Sequence, residues 1–147
     1  MKILLLIFGL LTIIGCSTKS NNQDNWDKEN LRDLEANDPR VLRAMKATQD
    51  SMSYYIDYFK RFYGQLNYKF FLKSSIRDNE EIEHMWLRPF SLDNNGFNCI
   101  LDNEPSTLTN YQLGDTIQIR LVDIEDCIII TADTTIIGNY LEKELRK

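Results

Sequence analysis

Histidine occurs once in this chain, at position 84, so any reaction that needs an imidazole has to be built there. Its setting is Glu83-His84-Met85-Trp86-Leu87. A metal centre made of several histidines is excluded, and a Ser, His, acid arrangement has a single base to work with. Carboxylates are more plentiful: Glu83, Asp102, Glu104, Asp123 and Asp126 could pair for acid–base work, although acids in turns commonly serve as caps. Asn103-Glu104-Pro105 puts a donor and an acceptor ahead of a rigid ring at the entry to a long loop. Such a pair either faces a ligand or ties the loop to a neighbouring strand. Neither a phosphate-cradling glycine loop nor a Cys-x-x-Cys pair is present. No catalytic residue, metal or cofactor is assigned on these grounds. The candidate binding residues are His84, Trp86, Asn103, Glu104, Pro105 and Asp126. For His84 the plain alternative is a hydrogen-bonded residue within a sheet, and for Trp86 it is core packing; an indole exposed beside His84 would instead mark a recognition face.

These residues need elements to hold them. Asp38-Pro39 starts a helix, since Asp caps well and Pro is favoured at the first helical position. Val41, Met45, Thr48, Met52, Tyr55, Ile56, Phe59 and Phe62 then form one stripe that should pack on a sheet, and Gly64 ends the helix. The period next becomes two. Tyr68, Phe70 and Leu72 alternate with Lys69, Phe71 and Lys73 in a first strand. Asp78-Asn79-Glu80-Glu81 is a turn. A second strand over Ile82–Leu92 carries His84 and Trp86 on one face and Met85 and Leu87 on the other, with Pro89 marking an edge or a bulge. Asp93-Asn94-Asn95-Gly96 is a hairpin turn into a third strand, Phe97–Leu101. After a loop from Asp102 to Gly114, Thr116–Leu121 and a segment from Ile124 to Ile130 are the fourth and fifth strands. A turn near Asp133 and the short apolar segment Thr135–Ile137 follow, and Asn139 with Glu142 reads as a capping box for a closing helix. The fold class is α+β: a long N-terminal helix packed on a small bent antiparallel sheet of about five strands, open or curled into a partial barrel, with a short C-terminal helix.

The chain has 147 residues, 43% of them hydrophobic, enough for one core and too few for two comfortable ones. Ahead of the domain, Lys2 precedes an uncharged apolar stretch, Ile3–Gly15, shorter than the roughly 20 residues of a spanning helix. It reads as a secretory leader over 1–15. Its end, Ile13-Ile14-Gly15-Cys16, resembles the lipobox of bacterial lipoproteins. That resemblance implies cleavage before Cys16, acylation of its thiol, and a membrane anchor in the bacterial cell envelope; Ser17 after it fits the outer membrane better than the inner. Residues 16–37 are polar and become a lipid-anchored tether, with Trp26 its one large aromatic. Without the leader, 16 basic residues face 22 acidic ones, which argues against a nucleic-acid partner. Cys99 and Cys127 remain as an even pair, either joined as a disulfide or each buried as a small apolar group.

From about Phe70 to Tyr140 the chain resembles the YegJ-like family of bacterial proteins, a domain of unknown function. The resemblance rests on the ordered set Glu83-His84-Met85-Trp86-Leu87, Asn103-Glu104-Pro105, Leu113-Gly114-Asp115, Ile124-Glu125-Asp126 and Gly138-Asn139-Tyr140. It implies Trp after the Ile-x-Asp motif, where this chain has Cys127, and it implies no activity. The functional expectation is a lipid-anchored envelope protein whose domain, 38–147, binds a protein or peptide. An immunity-type protein that neutralises a toxin is the alternative, and a hydrolase-type enzyme a more distant one.

Overall fold

The computed structural model describes residues 37–132 and 134–147; the leader, Cys16 and the tether up to 36 lie outside the described residues. Asp38 opens the first helix, its carboxylate accepting the amide proton of Arg40 at 2.8 Å. Helix α1 spans Pro39–Phe62, and the amide of Tyr63 closes it on the carbonyl of Phe59 at 3.0 Å. Its buried line is Ala44, Thr48, Met52, Tyr55 and Phe59, at steps of four and three as a core-facing stripe requires. Thr48, Met52, Tyr55 and Phe59 of that line belong to the expected stripe, and Ala44 is the addition. Ala44 takes the tight central position, while Val41, Met45, Ile56 and Phe62 flank it half-buried.

Among the described residues six strands form one antiparallel sheet. They are β1 (Tyr68–Asp78), β2 (Glu81–Asp93), β3 (Gly96–Leu101), β4 (Thr116–Ile119), β5 (Ile124–Thr131) and β6 (Thr134–Gly138). Their spatial order is β4-β3-β2-β1-β5-β6, so the sheet is open with β4 and β6 at its edges. Where about five strands are expected there are six, because Thr135–Ile137 lies within a short edge strand, with Ile137 opposite Ile129. Of the open and partly curled alternatives the sheet is the open one, since the edge strands do not pair. Leu121 is not strand but starts a 3-10 turn, Leu121–Asp123. Pro89 sits at a register shift in an interior strand, so it marks a bulge and no edge. A short helix, α2 (Tyr140–Leu145), closes the chain.

The inner face of the sheet holds Phe70, Leu72, Ile76, Met85, Leu87, Phe97, Cys99, Leu101, Cys127 and Ile129, all buried. Helix α1 covers it through edge-to-face aromatic contacts of Tyr55 and Phe59 with Phe70 and Phe97, at ring separations of 5.2 to 5.9 Å. The Tyr55 hydroxyl donates to the carbonyl of Phe71 at 3.1 Å. The rest of that face lies under the loop 102–115, which carries Leu108 into the core. Two carboxylates on the β1–β2 hairpin pin the loop. Glu83 accepts the amide protons of Ser106 and Thr107 at 2.8 and 3.0 Å, and Asp78 accepts those of Thr109 and Asn110 at 2.7 and 2.8 Å. A long loop has unpaired amides of its own, and these acids satisfy them.

Cys99 and Cys127 are free thiols. They stand on β3 and β5, with β2 and β1 between them. Three strand spacings come to roughly 14 Å, about twice the span a disulfide can bridge. Of the two alternatives, the buried apolar group is the one the structure holds, and burial pushes each thiol's pKa up to about 12.

Candidate functional site

The outward sheet face carries the chemistry, because alternation sends every second side chain of β1, β2 and β5 away from the core. On β1 the buried positions are Phe70, Leu72, Ser74, Ile76 and Asp78; those between them, Lys69, Phe71, Lys73, Ser75 and Arg77, face outward. On β2, Met85 and Leu87 are fully buried, so Ile82, His84, Trp86 and Arg88 face outward. The ladder sets Ser75 opposite His84 and Lys73 opposite Trp86. His84 and Trp86 therefore stand side by side on the wet face, with Trp86 half-buried and the His84 side chain 59% exposed.

A bulge supplies the third member. Lys73 pairs with Asp126 and Ser74 with Ile124, which leaves Glu125 as the extra residue of β5 and re-aims its side chain. Its carboxylate meets the Nδ1 of His84 at 2.7 Å and accepts a hydrogen bond from the Ser75 hydroxyl. The backbone carbonyls at and just before the bulge are taken up by side chains of α1 and β1: Thr48 Oγ donates to Glu125 at 3.1 Å, Gln49 Nε2 to Ile124 at 3.0 Å, and Ser74 Oγ to Asp123 at 2.8 Å. Buried Thr48 and Ser74 and exposed Gln49 thus hold an irregularity that presents Glu125 to the opposite face.

Burial alone would raise the Glu125 carboxyl; the hydrogen bonds from His84 and Ser75, with the charges of His84 and Lys73, outweigh it and hold the pKa below the usual range. Lys73 is shifted the other way. Desolvation lowers its ammonium, against the pull of Glu125 and Asp126, and its Nζ lies 5.7 Å from the centre of the Trp86 ring, within cation–π range.

Ser75, His84 and Glu125 have the composition of a hydrolytic triad without its wiring. A relay needs the hydroxyl on one ring nitrogen and the carboxylate on the other. Here both meet Nδ1, with Ser75 Oγ 3.3 Å away. A hydrogen bond from Nδ1 to Glu125 fixes that nitrogen as the protonated one and turns Nε2 outward. The cluster sets an imidazole Nε2, an indole and an ammonium side by side on the outward face. Among the described residues no group of three His, Cys, Asp or Glu side chains is placed to hold a metal ion.

The other candidates fall elsewhere. Asn103 takes the place of a missing β3 rung: its Oδ1 accepts the amide proton of Trp86 at 2.9 Å, and the amide of Asp102 donates to the Trp86 carbonyl at 3.0 Å. This is the loop-tying alternative, and it braces the strand that bears the indole. Glu104 is exposed and Pro105 half-buried on the same loop. Asp126 is 2% exposed and is spent internally, accepting the amide protons of Cys127, Tyr140 and Leu141 at 2.8, 3.2 and 3.2 Å. It caps α2, a role the sequence had suggested for Asn139. Asn139 makes no side-chain cap but bonds Glu142. Lys73, Ser75 and Glu125 were missed as site residues. Strand parity could have placed the first two beside His84, whereas no residue type announces the bulge.

A family model described as an uncharacterized protein conserved in bacteria, DUF2314, matches residues 38–147. The chain belongs to the DUF2314 family. Uncharacterized protein YegJ of Escherichia coli (strain K12) is 28% identical over 148 residues, covering 95% of this chain and 85% of that protein. No solved structure matches. The DUF2314 match begins at the cap of α1 and includes every strand, so the outward face is part of the family's own domain. Where the family resemblance implied Trp, this DUF2314 chain buries Cys127 completely.

Proposed function

We propose that this protein is a binding module of the bacterial envelope, held at the outer membrane by lipid on Cys16, and that it engages a protein or peptide through the outward face around His84 and Trp86. The observation that carries the reading is the asymmetry of the sheet. Helix α1 and the loop 102–115 cover the inner face, while His84, Trp86, Lys73 and Ser75 sit together on the other, braced by Glu125 from a bulge and by Asn103 from the loop. A half-buried indole with a fixed imidazole and ammonium beside it is the composition of an interface anchor. The apolar stretch before Cys16 supports delivery to the envelope, and the 16–37 tether gives the domain reach from a bilayer.

The test is capture from solubilised membranes with the anchored protein and with a His84→Ala, Trp86→Ala variant whose melting temperature matches. A partner held by the first and lost from the second supports the reading; a partner held equally by both removes this face. Labelled palmitate should appear in the protein and be absent from Cys16→Ser.

A further inference from the structure

The outward face sorts charge in a way the chain as a whole does not. Net charge is −5, yet the described residues of β1, β2 and β5 that face outward bring four cations, Lys69, Lys73, Arg77 and Arg88, against the carboxylate of Glu125 and that of Asp126, which stands opposite Lys73 but is buried. Each cation stands opposite a large apolar side chain: Lys69 opposite Ile130, Lys73 opposite Trp86, Arg77 opposite Ile82 and Arg88 opposite Ile100. Phe71 opposite Ile128 extends the apolar part. The face is a chequerboard of cations and apolar groups. At one end it opens into a cleft of about 400 Å³ between Lys69, Phe71 and Arg88 on the sheet and Tyr63 and Leu66 beyond α1, large enough for an aromatic or aliphatic side chain. Asp102 meets Arg88 at its rim at 3.2 Å.

From this pattern we infer that the partner of the outward face is an acidic protein segment in which carboxylates alternate with large apolar side chains. The inference rests on the binding reading above and specifies its ligand. Complementary charge would steer such a segment to this cationic face of an acidic molecule, its apolar side chains would cover Trp86, Ile100 and Ile128, and one would fill the cleft. A flat anionic bilayer fits less well. The apolar groups at the centre of the face are half-buried, as Lys73 is, between the exposed Lys69, Arg77 and Arg88 and do not protrude as insertion into lipid requires, and the remaining acidic surface opposes approach to anionic headgroups.

The experiment uses the full-length protein in phosphatidylcholine nanodiscs, titrated with a fluorescent peptide of alternating Glu and Leu, with its Lys and Leu counterpart, and with phosphatidylglycerol vesicles. The acidic peptide should bind, weaken as salt rises, and bind about tenfold more weakly to a Lys69→Glu, Arg88→Glu variant; the basic peptide should not bind. Both side chains are exposed, and if the reversal lowers the melting temperature, the Lys69→Gln, Arg88→Gln pair is read in its place. Equal binding of the basic peptide, preference for the vesicles, or no binding of the acidic peptide would overturn the inference. If a membrane partner is nonetheless captured in a His84- and Trp86-dependent manner, the binding reading survives and only its ligand class fails.

Discussion

Replacing Asp126 by Ala separates a structural acid from a binding one. The wild-type carboxylate, 2% exposed, accepts two first-turn amides of α2 and one strand amide. Helix α2 has six residues, too few to persist without such help. Losing a cap costs about 1 to 2 kcal/mol, and a strand amide left without its partner adds about 1 kcal/mol. Part of this is returned, because burial disfavours the charged form of Asp126 and raises its pKa, and Ala carries no charge to desolvate. The net is about 2 kcal/mol. For a domain of about 110 residues the unfolding entropy is roughly 0.23 kcal/mol per kelvin, so the melting temperature should fall by about 9 °C. Circular dichroism melts at neutral pH measure the shift, and hydrogen exchange should show the amides of Tyr140–Leu145 opening first. A shift under about 2 °C would refute the reasoning, as would a normal melt accompanied by loss of a captured partner, which would return Asp126 to the binding face.

The pH dependence of stability should carry the mark of Glu125. Its folded pKa is depressed, so its contribution is present above the ordinary carboxylate range, near 4.3, and is lost as pH falls through the lower folded value; urea melts of wild type and Glu125→Gln should differ most above about pH 5 and converge toward acid, and a gap independent of pH would contradict this. Cys99 and Cys127 should be silent to a thiol reagent in the native protein near pH 8 and both appear once it is unfolded; fast native reaction, or two missing thiols on unfolding, would be against it. Gly138 has φ +92°, and a Cβ there would lie 1.5 Å from the Cys127 carbonyl oxygen, so Gly138→Ala should displace β6 and α2 and cost more than about 3 kcal/mol, a size reserved for gross steric conflict. A wild-type melt would show the close approach to be wrong.

Much of the fold was legible because its signals are local. Asp38-Pro39 marked the start of α1, the change of period after Gly64 marked β1, and Asn94-Asn95-Gly96 marked the β2–β3 turn, which the structure closes with Asp93 opposite Gly96. Strand parity also placed His84 and Trp86 on one face and Met85 and Leu87 on the other. What escaped depends on tertiary pairing. The alternation expected for β1 reaches only to Lys73, yet the strand runs on to Asp78 because Ser74 donates to the carbonyl of Asp123 and Ser75 faces out. Asp126 and Asn103 stood as binding candidates beside structural alternatives, and most of the amides that use their acceptors, Trp86 for Asn103 and Tyr140 and Leu141 for Asp126, lie elsewhere in the sequence. Glu125 belongs to the site through a bulge, which is a property of register between two strands and has no residue signature.

The claim that matters most is that the sheet's uncovered side is the working side. It is tested by placing a photoreactive residue in cells at Ile82, which faces outward and is 46% exposed, and separately at Asp57, on the solvent side of α1. Illumination should give a discrete protein adduct from position 82 and none from position 57. Adducts from 57 alone would contradict the account.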